Sequence, residues 1–144
     1  MLKSVTFIGH SDALVHDNSN IKNFIQTLIE DYGCERFLCG GMGNFDEICA
    51  RIVWELKQIY PHVQNLLVIP YLSFKIHHRF YYDEIIFPAE LEGHFFKKCI
   101  LLRNKYLVDH ADAAICYIDH SWGGAYKTYL YAKNMRIEIF DLHP

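Results

Sequence analysis

The chain repeats one order of events: an apolar run that ends near glycine or proline, followed by apolar residues at helical spacing. "SVTFIG" from Ser4 to Gly9 is such a run, and Ile21, Phe24, Ile25, Leu28, Ile29 and Tyr32 follow at spacings of three and four before Gly33 stops the pattern. "RFLCGG" precedes Ile48, Ile52, Val53, Leu56 and Ile59, which Pro61 closes. "NLLVIPYL" is a third run, and a third helix is predicted from about Phe95 to His110. "DAAICYID", a helix from Ala125 to Lys133 and the run "RIEIFDL" complete the series. Strict alternation of strand and helix requires parallel pairing, because a right-handed crossover helix packs back onto the sheet. The prediction is an α/β fold, a doubly wound three-layer sandwich of about five mainly parallel strands in the order 3-2-1-4-5.

With 144 residues the chain fits a single domain over residues 1–144. No internal repeat or linker interrupts it. The irregular part is residues 71–93, "YLSFKIHHRFYYDEIIFPAELEG", long for a connection and of the kind that forms lids or binding loops. Ten Phe and ten Tyr exceed what a core of this size needs, which points to a ligand pocket or a subunit interface; a homo-oligomer is expected. The net charge of -3 and the lack of a basic stripe argue against a polymeric nucleic acid as partner. Five scattered cysteines without a CxxC pair read as reduced thiols, and no stretch has the length to span a membrane. A cytoplasmic protein with no membrane partner is the expectation.

In open α/β sheets ligands bind beyond the carboxyl ends of the strands, where strand order reverses. Three predicted strands end unusually there: Gly9-His10-Ser11, Gly40-Gly41-Met42-Gly43 and His120-Ser121-Trp122-Gly123-Gly124. In the order 3-2-1-4-5 these ends are neighbours, and the glycines would let two helix N-termini offer N–H groups to one anion. Two common phosphate motifs are absent. No GxGxxG follows the first strand, and in "GGAYKT" Tyr126 stands where a Walker loop needs glycine.

Taken in order, "FIGH", "CGGMGNFDEICARIV", "YDEIIFP", "LLRNKYLVDHADAAICYI" and "SWGGAYKTYLYAK" resemble the YpsA-like branch of the SLOG superfamily. That superfamily groups the Smf/DprA proteins with the Lonely Guy phosphoribohydrolases. The resemblance runs from about Phe7 to Leu142 and implies a Rossmann-like fold binding a nucleotide or nucleotide-derived small molecule. By position it marks Gly9, His10, Gly40, Gly41, Gly43, Arg103, Asn104, Gly123 and Gly124 as ligand-binding, with Asp46 and Glu47 beside them. Two positions depart from the family pattern: Ser11 replaces an arginine and Leu130 a glutamate, which favours binding over catalysis.

"GGMGNFDE" also matches the GGxGxxxE spacing of the Lonely Guy active site, so Glu47 and Asp46 are the candidate catalytic carboxylates for N-glycoside cleavage. The competing reading is local: Asn44 as N-cap, Glu47 completing a capping box, and Asp46 favouring the helix dipole. Arg103 is either a phosphate clamp or a solvated helix residue. Trp122 beside the glycine pair is a candidate for stacking on a base. His10 and His120 converge on adjacent strand ends, but two histidines are an incomplete metal set, and the nearest carboxylate is Asp119. A hydrogen-bonding role is expected for them, with no metal and no cofactor. Three functions follow: a nucleotide-derivative sensor or regulatory module, a nucleoside-monophosphate N-glycosidase using Glu47, or a structural oligomerisation domain.

Overall fold

The computed structural model describes residues 1–15 and 17–143. Along the chain run β1 (Ser4–Gly9), α1 (Ser19–Tyr32), β2 (Arg36–Cys39), α2 (Asn44–Leu56), β3 (Gln64–Val68), β4 (Glu84–Ile86), α3 (Phe96–Asp109), β5 (Ala113–Tyr117), α4 (Gly123–Asn134) and β6 (Glu138–Asp141). The six strands form one sheet in the order β4-β3-β2-β1-β5-β6, and every pairing is parallel. The order reverses between β1 and β5, so their carboxyl ends form the switch point and β2 lies beside them.

Side chains alternate across a strand, and here each face receives its own helix pair. Val5, Phe7, Phe37, Cys39, Leu67, Ala113 and Ile115 share a buried cluster with Ile21, Ile25 and Leu28 of α1 and Cys49, Ile52 and Val53 of α2. Ile8, Ala114 and Cys116 pack with Val108 of α3 and Ala132 of α4, while Leu38, Leu66 and Val68 meet Leu107. Strands apolar on both faces therefore read as unbroken apolar runs, as a covered parallel sheet demands. Gly33 ends α1 in the left-handed conformation (φ 73°), its N–H returning to the Leu28 carbonyl. All five cysteines are buried free thiols.

The structure departs from the sequence reading at residues 71–93. Instead of a wholly irregular loop, this segment contributes a sixth strand, β4, to the sheet edge, with short 3-10 turns at Arg79–Tyr81 and Ala89–Leu91. Two side chains fasten it. The Asp83 carboxylate accepts the Asn65 N–H at 2.7 Å and pairs with Lys57. The Asn65 amide, fully buried in β3, donates to the carbonyls of Ala50 (3.0 Å) and Tyr81 (2.9 Å) and accepts the Cys39 thiol. A three-residue strand has too little periodicity to announce itself, and a buried Asn gives no sequence signal of its partners.

Candidate functional site

A cavity of about 410 Å³ opens at the switch point. Gly9 and His10 reach it from the end of β1, Gly40 and Met42 from the end of β2, and His120, Trp122, Gly123 and Gly124 from the end of β5 and the start of α4. Arg103 and Asn104 enter from α3, and Asp46 from the first turn of α2. Nine of the twelve sequence candidates thus line this one cavity, with Asp46 among them. Gly41, Gly43 and Glu47 do not: they border a separate recess of about 50 Å³ with His77 and Tyr82.

Adjacent positions on a helix point about 100° apart, and this separates the two carboxylates of α2. Glu47 turns outward, half-exposed, and its carboxylate lies 3.0 Å from His78 Nδ1. Asp46 turns inward, where its Oδ2 accepts the N–H groups of Gly40 (2.9 Å) and Met42 (3.3 Å). Its Oδ1 is buried without a partner. Burial pushes this carboxyl up to about 6, against the opposing pull of the Arg103 charge and the backbone donors. The capping expectation is corrected as well. Gly43, at φ 89°, is the N-cap of α2, no side chain caps this end, and the Asn44 N–H donates to the Ser11 carbonyl at 3.0 Å. A Cβ on Gly43 would lie 2.5 Å from Ser11 Cα, so the close approach of the two loops selects glycine there.

The β2–α2 loop therefore spends its N–H groups on the protein's own carboxylate, leaving α4 as the helix start open to a ligand. Cβ atoms built on Gly123 and Gly124 meet nothing within 4 Å. They face free space, whereas Gly9 and Gly41 are packing glycines: a Cβ would lie 2.4 Å from the Phe45 ring and 2.8 Å from Leu67 Cδ1 respectively.

Arg103, 2% exposed, is not a solvated helix residue. Nη1 donates to the carbonyls of Gly40 (2.6 Å) and Val68 (2.9 Å), Nε to Asn104 Oδ1 (3.0 Å), and Nη2 to Met42 Sδ (3.2 Å). Four of its five N–H donors are thus engaged, tying the ends of β2 and β3 to α3. Burial lowers its pKa to about 10, so it keeps its charge at neutral pH. The thioether is a weak acceptor, and Nη2 is the group a ligand oxygen can claim. Sequence reasoning missed Met42 and Val68 as partners; a carbonyl acceptor carries no residue-type signal.

On the opposite wall the rings of His10 and His120 stack with centroids 3.4 Å apart, and the Trp122 ring lies 4.0 Å from that of His120. His10 is 4% exposed and Trp122 68%, so the aromatic row runs from the buried floor to the mouth.

The family model described as the YspA SLOG family, YpsA, matches residues 10–139. The chain belongs to this SLOG family. Among its relatives are the SPbeta prophage-derived protein YoqJ of Bacillus subtilis (strain 168), 28% identical over 142 residues with 83% of each chain covered. UPF0398 protein BH1768 of Halalkalibacterium halodurans is 29% identical over 130 residues, covering 82% of this chain and 68% of that protein. In three dimensions the chain is similar to DNA processing protein A (DprA) from Streptococcus pneumoniae, with a TM-score of 0.71, 14% identity and 96% of this chain covered. The chain spans 50% of that DprA structure, and at this identity the likeness concerns the fold. Rossmann-like architecture and the YpsA-like branch, as the sequence motifs imply, are both found. Among the described residues no helix is long and apolar enough to cross a membrane.

Proposed function

We propose that the switch-point cavity binds a phosphorylated, nucleotide-derived small molecule, and that the chain acts as a sensor or regulatory module. One observation carries this reading: the bare start of α4 at Gly123–Gly124, open to a 410 Å³ cavity that also holds Arg103. Exposed N–H groups at a helix N-terminus suit a phosphate. Trp122 at the mouth suits a base. The cavity has the volume of a small-molecule site, within the usual range of roughly 300–1,000 Å³. A net charge of -3 favours such a ligand over a polymer, although the DprA neighbour is named for DNA processing. A thermal-shift screen with nucleotides, cyclic nucleotides, ADP-ribose derivatives and single-stranded DNA tests the reading; a shift with DNA alone would overturn it.

A second reading, N-glycoside hydrolysis, draws on Asp46 in place of Glu47. A carboxyl group in a cavity wall with its pKa raised to about 6 is suited to proton transfer near neutral pH. Release of free base from a nucleoside monophosphate, abolished by Asp46→Asn and retained by Glu47→Gln, would support it. The expected cytoplasmic setting and self-association belong to the same proposal. Phe95 and Phe96, 87% and 63% exposed at the start of α3, are the surface that light scattering of a Phe95→Ser/Phe96→Ser variant would probe.

A further inference from the structure

At the end of β5, His120 Nδ1 is hydrogen-bonded to Asp119 Oδ1. The same oxygen lies 3.5 Å from His10 Nε2, which arrives from the end of β1. One ligand atom from each of the three residues lies within 4.8 Å of the others. His10 Nε2 is buried and has no hydrogen-bond partner. A buried polar nitrogen without a partner forfeits its hydration, and the fold retains it within reach of a carboxylate.

We propose that His10, Asp119 and His120 form a binding site for a divalent transition metal of the zinc class, with a further coordination position facing the switch-point cavity. In a tetrahedral zinc site with metal–ligand bonds near 2.0–2.2 Å, neighbouring ligand atoms stand about 3.4 Å apart. The His10–Asp119 separation of 3.5 Å already meets that edge. His120, the outer of the two stacked rings, rotates away from His10 to aim its nitrogen at the metal, which takes the place of the proton it shares with Asp119. Two imidazoles and one carboxylate suit zinc, cobalt(II) or nickel(II). They offer too few oxygens for calcium or magnesium and no thiolate for copper(I). Three protein ligands with an open position define a reactive type of site, in contrast to a closed structural one. His10 and His120 both line the 410 Å³ cavity, so that position is reachable by a ligand. The inference does not rest on nucleotide binding, because the metal alone is the probe.

The test is titration of the metal-stripped full chain with cobalt(II), followed by competition with zinc. One equivalent should bind, giving visible d–d absorption without a thiolate charge-transfer band. Asp119→Asn and His120→Gln alter partly exposed side chains at the end of β5 by near-isosteric or smaller polar groups and should leave the fold intact by circular dichroism. Each should weaken binding by about 100-fold or more, beyond the cost of losing an outer-shell partner. The double variant His77→Gln/His78→Gln should bind as the wild type does. No saturable binding, a thiolate band, or unchanged affinity in Asp119→Asn and His120→Gln would each overturn the proposal.

Discussion

Replacing Arg103 with alanine removes four hydrogen bonds and a buried charge at once. The Gly40 carbonyl loses its Nη1 donor inside the protein, and so does that of Val68. Each buried acceptor left without a partner costs about 1–3 kcal/mol. Asp46, whose charge Arg103 helps hold, loses its counter-cation, which raises its pKa further above 6. Breaking one side of a buried charged network costs about 3–5 kcal/mol, and these losses overlap, so about 3–5 kcal/mol is the expected total. Out of a domain stability of roughly 5–15 kcal/mol this is a large fraction. With a urea m-value of about 2 kcal/mol/M, the midpoint of unfolding should fall by about 1.5–2.5 M. Arg103→Lys keeps the charge but cannot span both carbonyls and Asn104 from a single nitrogen. It should lose roughly half as much. A midpoint for Arg103→Ala within about 0.3 M of the wild type would show that the guanidinium does not hold the strand ends, and the reasoning would fail.

Asp46 gives a pH signature. Its folded pKa of about 6 lies above the ordinary 3.8, so the folded state binds the proton more tightly than the unfolded state. Stability from this group is present below about pH 4 and is lost as pH rises to 6. Urea melts should show Asp46→Asn flattening that decline, by about 1–3 kcal/mol between pH 4 and 7; parallel profiles would contradict the assignment. Gly9→Ala drives a Cβ into Phe45 and should cost about 1–3 kcal/mol by overpacking, measured by the same melts. Trp122→Ala should leave the melting temperature unchanged and weaken a base-bearing ligand by about 1–3 kcal/mol in calorimetry.

Long-range order was legible because the sheet is covered on both faces. Mainly apolar runs mark β1, β2, β3 and β5, and the glycines at the ends of β1, β2 and after β5 locate the switch point. The short β4 was not legible: it is an edge strand held by Asp83, which accepts the Asn65 N–H of β3, and by the Asn65 amide, which donates to the Tyr81 carbonyl, and neither pairing leaves a local sequence pattern. Asp46 and Glu47 were indistinguishable as neighbours in one motif, since only the orientation of α2 decides which faces the cavity. Arg103 was marked by position, but its engagement with backbone carbonyls carries no sequence trace. The glycines divide likewise. Gly9, Gly41 and Gly43 answer to packing or backbone conformation and Gly123 to a left-handed φ of 88°, while a Cβ on Gly124 faces open space.

The α4 cradle is best tested by calorimetric and thermal-shift titration of the wild type and Gly124→Val with the same nucleotide panel. Valine is no poorer a helix former than glycine, and a Cβ at that position meets nothing within 4 Å, so the variant should fold and melt close to the wild type. Its side chain would occupy the space a phosphate needs. At least one phosphorylated compound at 100 times its Kd should stabilise the wild type by about 2.7 kcal/mol, or roughly 5–10 °C, and shift Gly124→Val little. Equal shifts in the two proteins, or no shift in the wild type with any member of the panel, would contradict the assignment of this cavity as a phosphorylated-ligand site.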